Sequence, residues 1–148
     1  MGTRAGIVLV ENDNVALIER FRAGRHYFAF PGGGVDEGET PEQAAVREAM
    51  EELGIEVVVK QKVAEIHYPE YPQVYFLVER VGGEFGTGTG EEFTDPNPES
   101  GVYIPMWMPV AELSHRENVF PVNLAKLVLR SKTDGWQNEA LYVVEEEK

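Results

Sequence analysis

Six stretches of alternating or continuous apolar residues predict β-strands, because a strand exposes successive side chains to opposite faces. Turn-forming residues separate them, and Asn12–Asp13–Asn14 predicts a hairpin between the first two strands. The predicted strands are Gly6–Val10, Val15–Phe21, Tyr27–Phe30, Val57–Ile66, Val74–Val81 and Val102–Met108.

Two further segments have the apolar period of a helix, about Pro41–Leu53 and Val122–Ser131, and a short helical turn is expected at Ala111–Ser114. Residues 82–101 are rich in Gly, Pro, Asn and Glu and predict a long loop. Residues 145–148 predict a solvated tail. Strands and helices in this irregular order favour an α/β fold with a mixed β-sheet and helices packed on it.

The length of 148 residues predicts a single domain over residues 1–148. The absence of cysteine excludes disulfides, cysteine zinc sites and thiol nucleophiles, and the three histidines lack the spacing of metal ligands. No apolar run is long enough for a membrane span, and the N-terminus lacks the apolar run of a signal peptide. We therefore expect a cytoplasmic protein with no membrane partner.

Acidic residues outnumber basic ones, 26 to 13, and give a net charge of −13. This charge repels nucleic-acid backbones and anionic membranes, so no nucleic acid polymer is expected as a partner. The acidity is concentrated: residues 36–56 contain eight acids and one base, Arg47. A concentration of this kind requires a local explanation.

The helix in this acidic segment has clear start and stop signals. Thr40 is suited to cap it, Pro41 fits the first helical position and Gln43 completes a capping box. Gly54 fits the left-handed position that ends a helix. With these limits the apolar residues form one stripe, and the acids Glu48, Glu51 and Glu52 lie nearly opposite.

Two interpretations of this acidic face stay open at this stage. It is a solvated helix face, or it converges on a hard divalent cation such as Mg²⁺ or Mn²⁺, which prefers oxygen ligands. Like charges at these spacings destabilise a helix, and Arg47 relieves only part of the repulsion. The preceding Pro31-Gly32-Gly33-Gly34 lets a ligand approach the main chain, which favours the metal site.

Read as one string, residues 33–55 resemble the signature of the Nudix hydrolase family, and most closely that of its small MutT-like members. The signature is a glycine, five residues, a glutamate, seven residues and then R-E-U-x-E-E-x-G-U, where U is aliphatic. Ala49 is smaller than usual at the first aliphatic position. The matching residues are Gly33, Glu39, Arg47, Glu48, Glu51, Glu52, Gly54 and Ile55.

The resemblance implies a Nudix-type α/β/α sandwich whose loop–helix–loop motif binds Mg²⁺ or Mn²⁺. By position, Glu51 and Glu52 match the principal metal ligands and Glu48 matches a third ligand or a general base. The carbonyl of Gly33 matches a further metal ligand. Glu39 and Arg47, the remaining polar residues of the motif, match a structural pair.

The implied reaction is hydrolysis of a nucleoside diphosphate linked to a group X, which releases a nucleoside monophosphate. A nucleoside triphosphate, including an oxidised deoxynucleotide, is the first expectation, and ADP-ribose or a dinucleoside polyphosphate is the alternative. An alternative of another class is a catalytically silent nucleotide sensor, although this chain keeps every acid of the motif. A Ca²⁺-binding acidic domain is a third, and a homodimer is left open.

Other site residues are expected outside the motif. Glu92 and Glu91, ranked above Glu99, are candidates for the general base. Phosphates are expected to bind basic residues ahead of the glycines, and a base is expected to stack on aromatic rings or contact asparagines near the second helix. The candidates are Arg20, Arg22, Arg25, Tyr27, Phe28, Tyr68, Tyr71, Phe76, Asn118 and Asn123.

Overall fold

The structure, a computed structural model, describes residues 2–69, 71–87 and 101–144. Within these ranges the chain forms strands, two α-helices and one 3₁₀ helix. In order these are β1 (Arg4–Val8), β2 (Val10–Glu11), β3 (Asn14–Arg22), β4 (Arg25–Ala29), β5 (Gly32–Gly34), α1 (Pro41–Leu53), β6 (Ile55–His67), β7 (Pro72–Gly83), β8 (Val102–Pro109), the 3₁₀ helix (Val110–Ser114), β9 (Val119–Phe120), α2 (Val122–Asp134) and β10 (Leu141–Val144).

The strands form two mixed sheets. The first has the order β10–β6–β7–β1–β5, with β1 parallel to β7 and β10 parallel to β6. In the second, β3 lies between β4 and β8, and β2 and β9 complete it. The predicted mixed architecture with packed helices is confirmed, but the strands are divided between two sheets.

The division begins at the N-terminus, where one predicted strand is two. β1 belongs to the first sheet, whereas β2 belongs to the second and pairs with β3. Asn12 and Asp13 connect β2 to β3 with φ values of 51° and 64°, the left-handed backbone that a two-residue hairpin requires. The predicted hairpin is therefore correct for β2 and wrong for β1, because the chain changes sheet at the buried Leu9.

Each helix covers its own core. α1 packs Ala45, Ala49 and Leu53 into a core that contains residues of both sheets, among them Ile7 and Ile18. α2 packs into a second core with a separate set of residues, Leu124, Leu127, Val128, Leu17, Val63 and Ile66. The sheets thus lie between two helices, which is the α/β/α arrangement.

The short strands β5, β9 and β10 were absent from the sequence prediction, and α2 continues to Asp134 rather than ending at Ser131. β5 consists only of glycines, which do not produce an apolar pattern. Neither helix in the described part of the chain is long and apolar enough to cross a bilayer. The elements that matter for function are β5 and α1, because they bring the signature residues to one place.

Candidate active site

The acidic helix starts and stops where its capping residues lie. The Thr40 side chain accepts a hydrogen bond from the Gln43 amide at 3.1 Å, and the Thr40 amide donates to the Gln43 side chain at 2.9 Å. Gly54 adopts φ 77° and donates its amide hydrogen to the Met50 carbonyl at 2.9 Å. These caps set the rotation of α1, which turns Glu48 and Glu52 inward and leaves Glu51 half-exposed.

The glycine strand β5 brings the main chain against these two acids. The Gly32 amide donates to Oε1 of Glu52 at 2.6 Å. Gly33 pairs with Ala5 of β1 and packs on the Glu48 carboxylate so closely that an added Cβ would lie 2.3 Å from Oε2. Glu48 is 9% exposed and Glu52 is 7% exposed. Only a residue without a side chain fits at position 33 with Glu48 in this place.

Arg47 holds the loop before the helix. Its Nε and Nη2 donate to the two carboxylate oxygens of Glu39 at 2.8 and 3.0 Å, a bidentate pair, and Nη2 also donates to the Gly34 carbonyl at 2.9 Å. The hydrogen bond from Arg47, followed by one from the Asp36 amide, lowers the pKa of Glu39 from 4.5 to about 2. The same bond, opposed by partial burial, raises the pKa of Arg47. Glu39 therefore carries its charge at any ordinary pH.

The other edge of the Arg47 guanidinium reaches the acids of the helix. Nη1 donates to Oε2 of Glu48 at 3.0 Å and lies 3.3 Å from both carboxylate oxygens of Glu51. Among the described residues, no group of three or more acids or histidines is gathered closely enough to hold a metal ion. In this arrangement Arg47 neutralises charge that a divalent cation would otherwise neutralise.

The donor set nevertheless fits a hard divalent cation. It consists of the carboxylates of Glu48, Glu51 and Glu52 on successive turns of one helix, with the main chain of Gly33 packed on one of them. Oxygen atoms of this kind are what Mg²⁺ and Mn²⁺ prefer. Binding would require Nη1 of Arg47 to leave Glu48 and Glu51, while its Nε and Nη2 keep Glu39 and Gly34.

A cleft of about 220 Å³ lies beside these acids. It brings carboxylates and guanidinium groups together, so one side of a bound phosphate can meet acids and the other can meet bases. Arg20 is buried and donates to the Val102 carbonyl at 3.2 Å, and its guanidinium carbon lies over the ring of Tyr103, 3.6 Å from the ring centre. The lining residues are Arg4, Ile18, Arg20, Ala29, Phe30, Gly32, Gly33, Glu48, Glu52 and Tyr103.

Two of these polar residues, Arg4 and Tyr103, were not predicted. Arg4 opens β1, and Nη2 lies 3.5 Å from the Gly32 carbonyl. Tyr103 pairs with Arg20 across β3 and β8, which are more than 80 residues apart in the chain. For Arg4 the sequence offers one signal, its position just before the first apolar run. For Tyr103 it offers none, because the β3–β8 pairing does not follow from local pattern.

The structure places the remaining predicted substrate-binding residues in different environments, some exposed near the cleft and others in the core. Arg22 and Arg25 are exposed at the tip of the β3–β4 hairpin, and the half-buried Tyr27 lies between Arg25 and Arg20. Phe28 is 3% exposed in the core under α2, with Arg116 over its ring. The prediction that Phe28 stacks on a substrate is therefore wrong, since its ring faces away from the cleft.

The asparagines do not line the cleft. Asn118 donates from its side chain to the His26 carbonyl at 3.2 Å and so supports the β4–β9 junction. Asn123 lies in the first turn of α2. Phe76 is buried under α1, which excludes it as a stacking surface, whereas Tyr68 and Tyr71 pack on each other at 5.8 Å. The proposed bases Glu91, Glu92 and Glu99 lie outside the described residues.

Comparison with known proteins gives relatives of two kinds. An RNA pyrophosphohydrolase of Aeromonas hydrophila is 52% identical over 50 residues, which cover 34% of this chain and 28% of that protein. The chain thus spans well under two thirds of the curated relative that it matches. A NUDIX hydrolase structure from Nitrosomonas europaea has a TM-score of 0.73 at 16% identity and covers 99% of this chain and 79% of that one.

An ADP-ribose pyrophosphatase from Streptococcus suis has a TM-score of 0.67 at 16% identity, over 97% of this chain and 98% of that one. At such identity the two structures show a common fold and nothing of substrate. The model of the NUDIX domain matches residues 2–128, which include β5, α1 and every residue of the cleft. The chain therefore belongs to the Nudix hydrolase family.

Proposed function

We propose that this chain is a divalent-metal-dependent pyrophosphohydrolase that cleaves the pyrophosphate linkage of a small nucleotide and releases a nucleoside monophosphate. The first candidate substrate is a nucleoside triphosphate, oxidised deoxynucleotides included. The observation that carries the proposal is one cleft in which buried Glu48 and Glu52 stand beside Arg4 and Arg20. Acids that can hold a cation and bases that can hold phosphate are both required to bind a polyphosphate in an acidic protein.

The residues that would hold Mg²⁺ or Mn²⁺ are Glu48, Glu51 and Glu52, with the Gly33 carbonyl. When bound, such an ion neutralises phosphate charge, polarises the phosphorus and lowers the pKa of water. The protein's own contribution is placement: the Gly32 amide of β5 fixes Glu52, and Nε and Nη2 of Arg47 hold Glu39 and the Gly34 carbonyl, which fixes the loop beside the acids. Arg20, packed against the ring of Tyr103 in the cleft, is placed to neutralise phosphate oxygens.

In the reaction, the oxygen of a water attacks phosphorus, the phosphoanhydride bond breaks, and the departing phosphate takes the electron pair. A carboxylate accepts the proton that the water loses. Glu48 lies in the cleft and is the described candidate for this base. Glu92 and Glu91 remain the candidates from outside the described residues.

A second candidate substrate is the triphosphorylated 5′ end of an RNA. The relative from Aeromonas hydrophila that shares 52% identity over 50 residues is named an RNA pyrophosphohydrolase, and the terminal pyrophosphate linkage of an RNA is at its 5′ end. ADP-ribose and dinucleoside polyphosphates stay predictions, as do the cytoplasmic location, the single domain over residues 1–148 and the homodimer. A catalytically silent sensor is disfavoured because every acid of the signature is present.

The test is a panel assay with Mg²⁺, Mn²⁺ or Ca²⁺ on purified protein. The panel contains nucleoside triphosphates, 8-oxo-dGTP, ADP-ribose, dinucleoside polyphosphates and 5′-triphosphorylated RNA. We expect Mg²⁺ or Mn²⁺ to support turnover and Glu52→Gln to lower kcat at least about 100-fold, the usual loss when a group that stabilises the transition state is removed. The matched control is Glu42→Gln, on the exposed first turn of the same helix. Full turnover by E52Q would refute the proposed metal site.

A further inference from the structure

One face of the second sheet carries three arginines and two tyrosines, which extend from the cleft to the tip of the β3–β4 hairpin. Strand register pairs Arg20 with both Tyr27 and Tyr103, and it pairs Arg22 with Arg25. Directly paired residues on neighbouring strands point to the same face of a sheet. Arg20, Arg22, Arg25, Tyr27 and Tyr103 therefore share one face, and we call these five residues the arginine–tyrosine row.

The row begins in the cleft and ends at the hairpin tip. Tyr103 and Arg20 line the cleft, with the Arg20 guanidinium carbon 3.6 Å from the Tyr103 ring centre and 5.8 Å from that of Tyr27. Arg25 continues the alternation, 5.2 Å from the Tyr27 ring centre. Arg22 and its cross-strand partner Arg25 lie two residues along the strand from Arg20, a distance of about 7 Å. The row thus leads away from the nucleotide cleft along the surface.

The outer arginines are unusual for this chain. Acids outnumber bases two to one, and Arg47, Arg80 and Arg116 each form ion pairs of 3.0 Å or less. Arg22 and Arg25 are exposed and form no ion pair with any residue in the described ranges. Guanidinium planes suit both phosphate binding and stacking on bases. These two cations are therefore available to an anion that extends beyond the cleft.

We propose that the arginine–tyrosine row binds the nucleotides that follow the first one of a single-stranded RNA whose 5′ end occupies the cleft. The inference rests on the proposed function, because it assigns the cleft to the 5′ nucleotide. Alternating cationic and aromatic side chains are the recognition surface of single-stranded nucleic acids, which offer a phosphate and a stacking base at every step. A nucleoside triphosphate ends at its first nucleotide, whereas an RNA strand continues with further phosphates and bases toward Arg22 and Arg25.

This proposal revises the expectation drawn from the net charge. A charge of −13 repels a polyanion on average, but attraction depends on the local distribution of charge. The row concentrates three bases on one face of β3, β4 and β8, and the described residues of these strands include one acid, Glu19. Glu19 pairs with Phe28 and lies on the opposite face of β3, where it contacts His26 at 2.7 Å.

The test compares binding of a 5′-triphosphorylated oligoadenylate hexamer, labelled at its 3′ end with fluorescein, with competition by ATP. Fluorescence anisotropy with Ca²⁺ in place of Mg²⁺ reports binding while the cation site is filled and turnover is not expected. We expect the hexamer to bind roughly tenfold more tightly than ATP, the contribution of about one stacked base. In Arg22→Ser/Arg25→Ser the advantage is lost, and the slope of log Kd against log salt falls by about 1.4, or 0.7 for each phosphate contact on a single strand.

Two further double variants separate charge from position. Arg22→Lys/Arg25→Lys keeps both charges and is expected to retain the salt slope while losing part of the affinity, because lysine does not stack. Lys126→Ser/Arg130→Ser removes two exposed charges from α2 and is expected to bind the hexamer like the native chain. Circular dichroism confirms that each variant is folded.

Equal binding of ATP and the hexamer would overturn the proposal, as would R22S/R25S keeping the full advantage. If K126S/R130S loses as much affinity for the hexamer as R22S/R25S does, the loss reflects the overall charge of the protein and the row is again refuted. These results distinguish failure of this inference from failure of the proposed function. If the chain prefers the hexamer but hydrolyses nothing, the RNA-binding row is supported and the proposed enzymatic function is refuted. If the chain hydrolyses ATP without preferring the hexamer, the enzymatic function is supported and the row is refuted.

Discussion

Replacing Gly33 with alanine tests whether the position of the Glu48 carboxylate governs activity. The new Cβ would lie 2.3 Å from Oε2, 2.5 Å from the carboxylate carbon and 2.8 Å from Oε1, whereas ordinary contacts begin at about 3.4 Å. The conflict is with the end of a flexible side chain, so Glu48 must move by about 1 Å while the strand backbone stays. The perturbation is therefore a displacement of one catalytic candidate.

The two expected magnitudes differ, and this difference is the substance of the prediction. A shift of 1 Å in a catalytic group costs about 100-fold in rate, or about 2.7 kcal/mol of transition-state stabilisation. The cost in folding is smaller, about 0.5–1.5 kcal/mol for an off-rotamer side chain. It is partly offset by the lower entropy of an unfolded chain with alanine, about 0.4–1 kcal/mol. Activity should fall far more than stability.

The adjacent glycine provides the control. An alanine Cβ at position 34 would meet nothing within 4 Å, so Gly34→Ala introduces the same chemical change without the displacement. We expect kcat to fall about 100-fold in G33A and to stay within about twofold in G34A, with urea unfolding of both near that of the native chain. Native-like turnover by G33A would refute the reasoning, and so would a G34A variant as inactive as G33A.

Two predictions concern the stability of the loop–helix–loop motif. The pKa of Glu39 is lowered from 4.5 to about 2, chiefly by the hydrogen bond from Arg47, so its ionised form stabilises the fold fully above about pH 4.5, and this contribution is lost as pH falls toward 2. The free energy of unfolding of Glu39→Gln should therefore lie below that of the native chain at pH 7, with a gap that narrows between pH 4.5 and 2; a gap independent of pH would contradict this. Gly54→Ala should lower the free energy of unfolding by at least about 2 kcal/mol, because Gly54 has φ 77° and a Cβ there would meet the Thr87 and Glu84 backbones at 2.7 and 2.9 Å. Gly86→Ala, at φ 93° but in open space, isolates the backbone part, and equal losses in the two variants would show that packing contributes nothing.

The helices and the long strands followed from the sequence because their signals are local. Thr40, Pro41 and Gln43 define a helix start within four residues, and Gly54 defines its end. The apolar run that begins at Val15 similarly indicates β3. Local sequence pattern does not predict pairing between distant segments. The short strands β9 and β10 are examples, because each is defined by its pairing with a longer strand, β4 or β6.

The same distinction applies to the site. Glu48 and Glu52 are four residues apart, which predicts that they lie on the same face of the helix, and in the structure both line one cleft. Tyr103 was missed because its contact with Arg20 depends on the β3–β8 register, which no local pattern contains. Phe28 was wrongly assigned because alternation predicts that neighbouring strand residues face opposite sides but does not say which side is the core.

The acidic helix was energetically odd as a sequence, and the structure explains how the chain tolerates it. Three acids near the end of a helix repel one another and oppose the helix dipole. Arg47 offsets this with one guanidinium that contacts Glu39, Glu48 and Glu51 together. A solvated acidic face would need no such arrangement, because water would screen it and its side chains would point outward. Glu48 and Glu52 instead point inward beside glycines, where burial of charge is costly. A fold under pressure for stability alone would place apolar residues there, so the cost is best explained by a requirement for those carboxylates in the cleft itself.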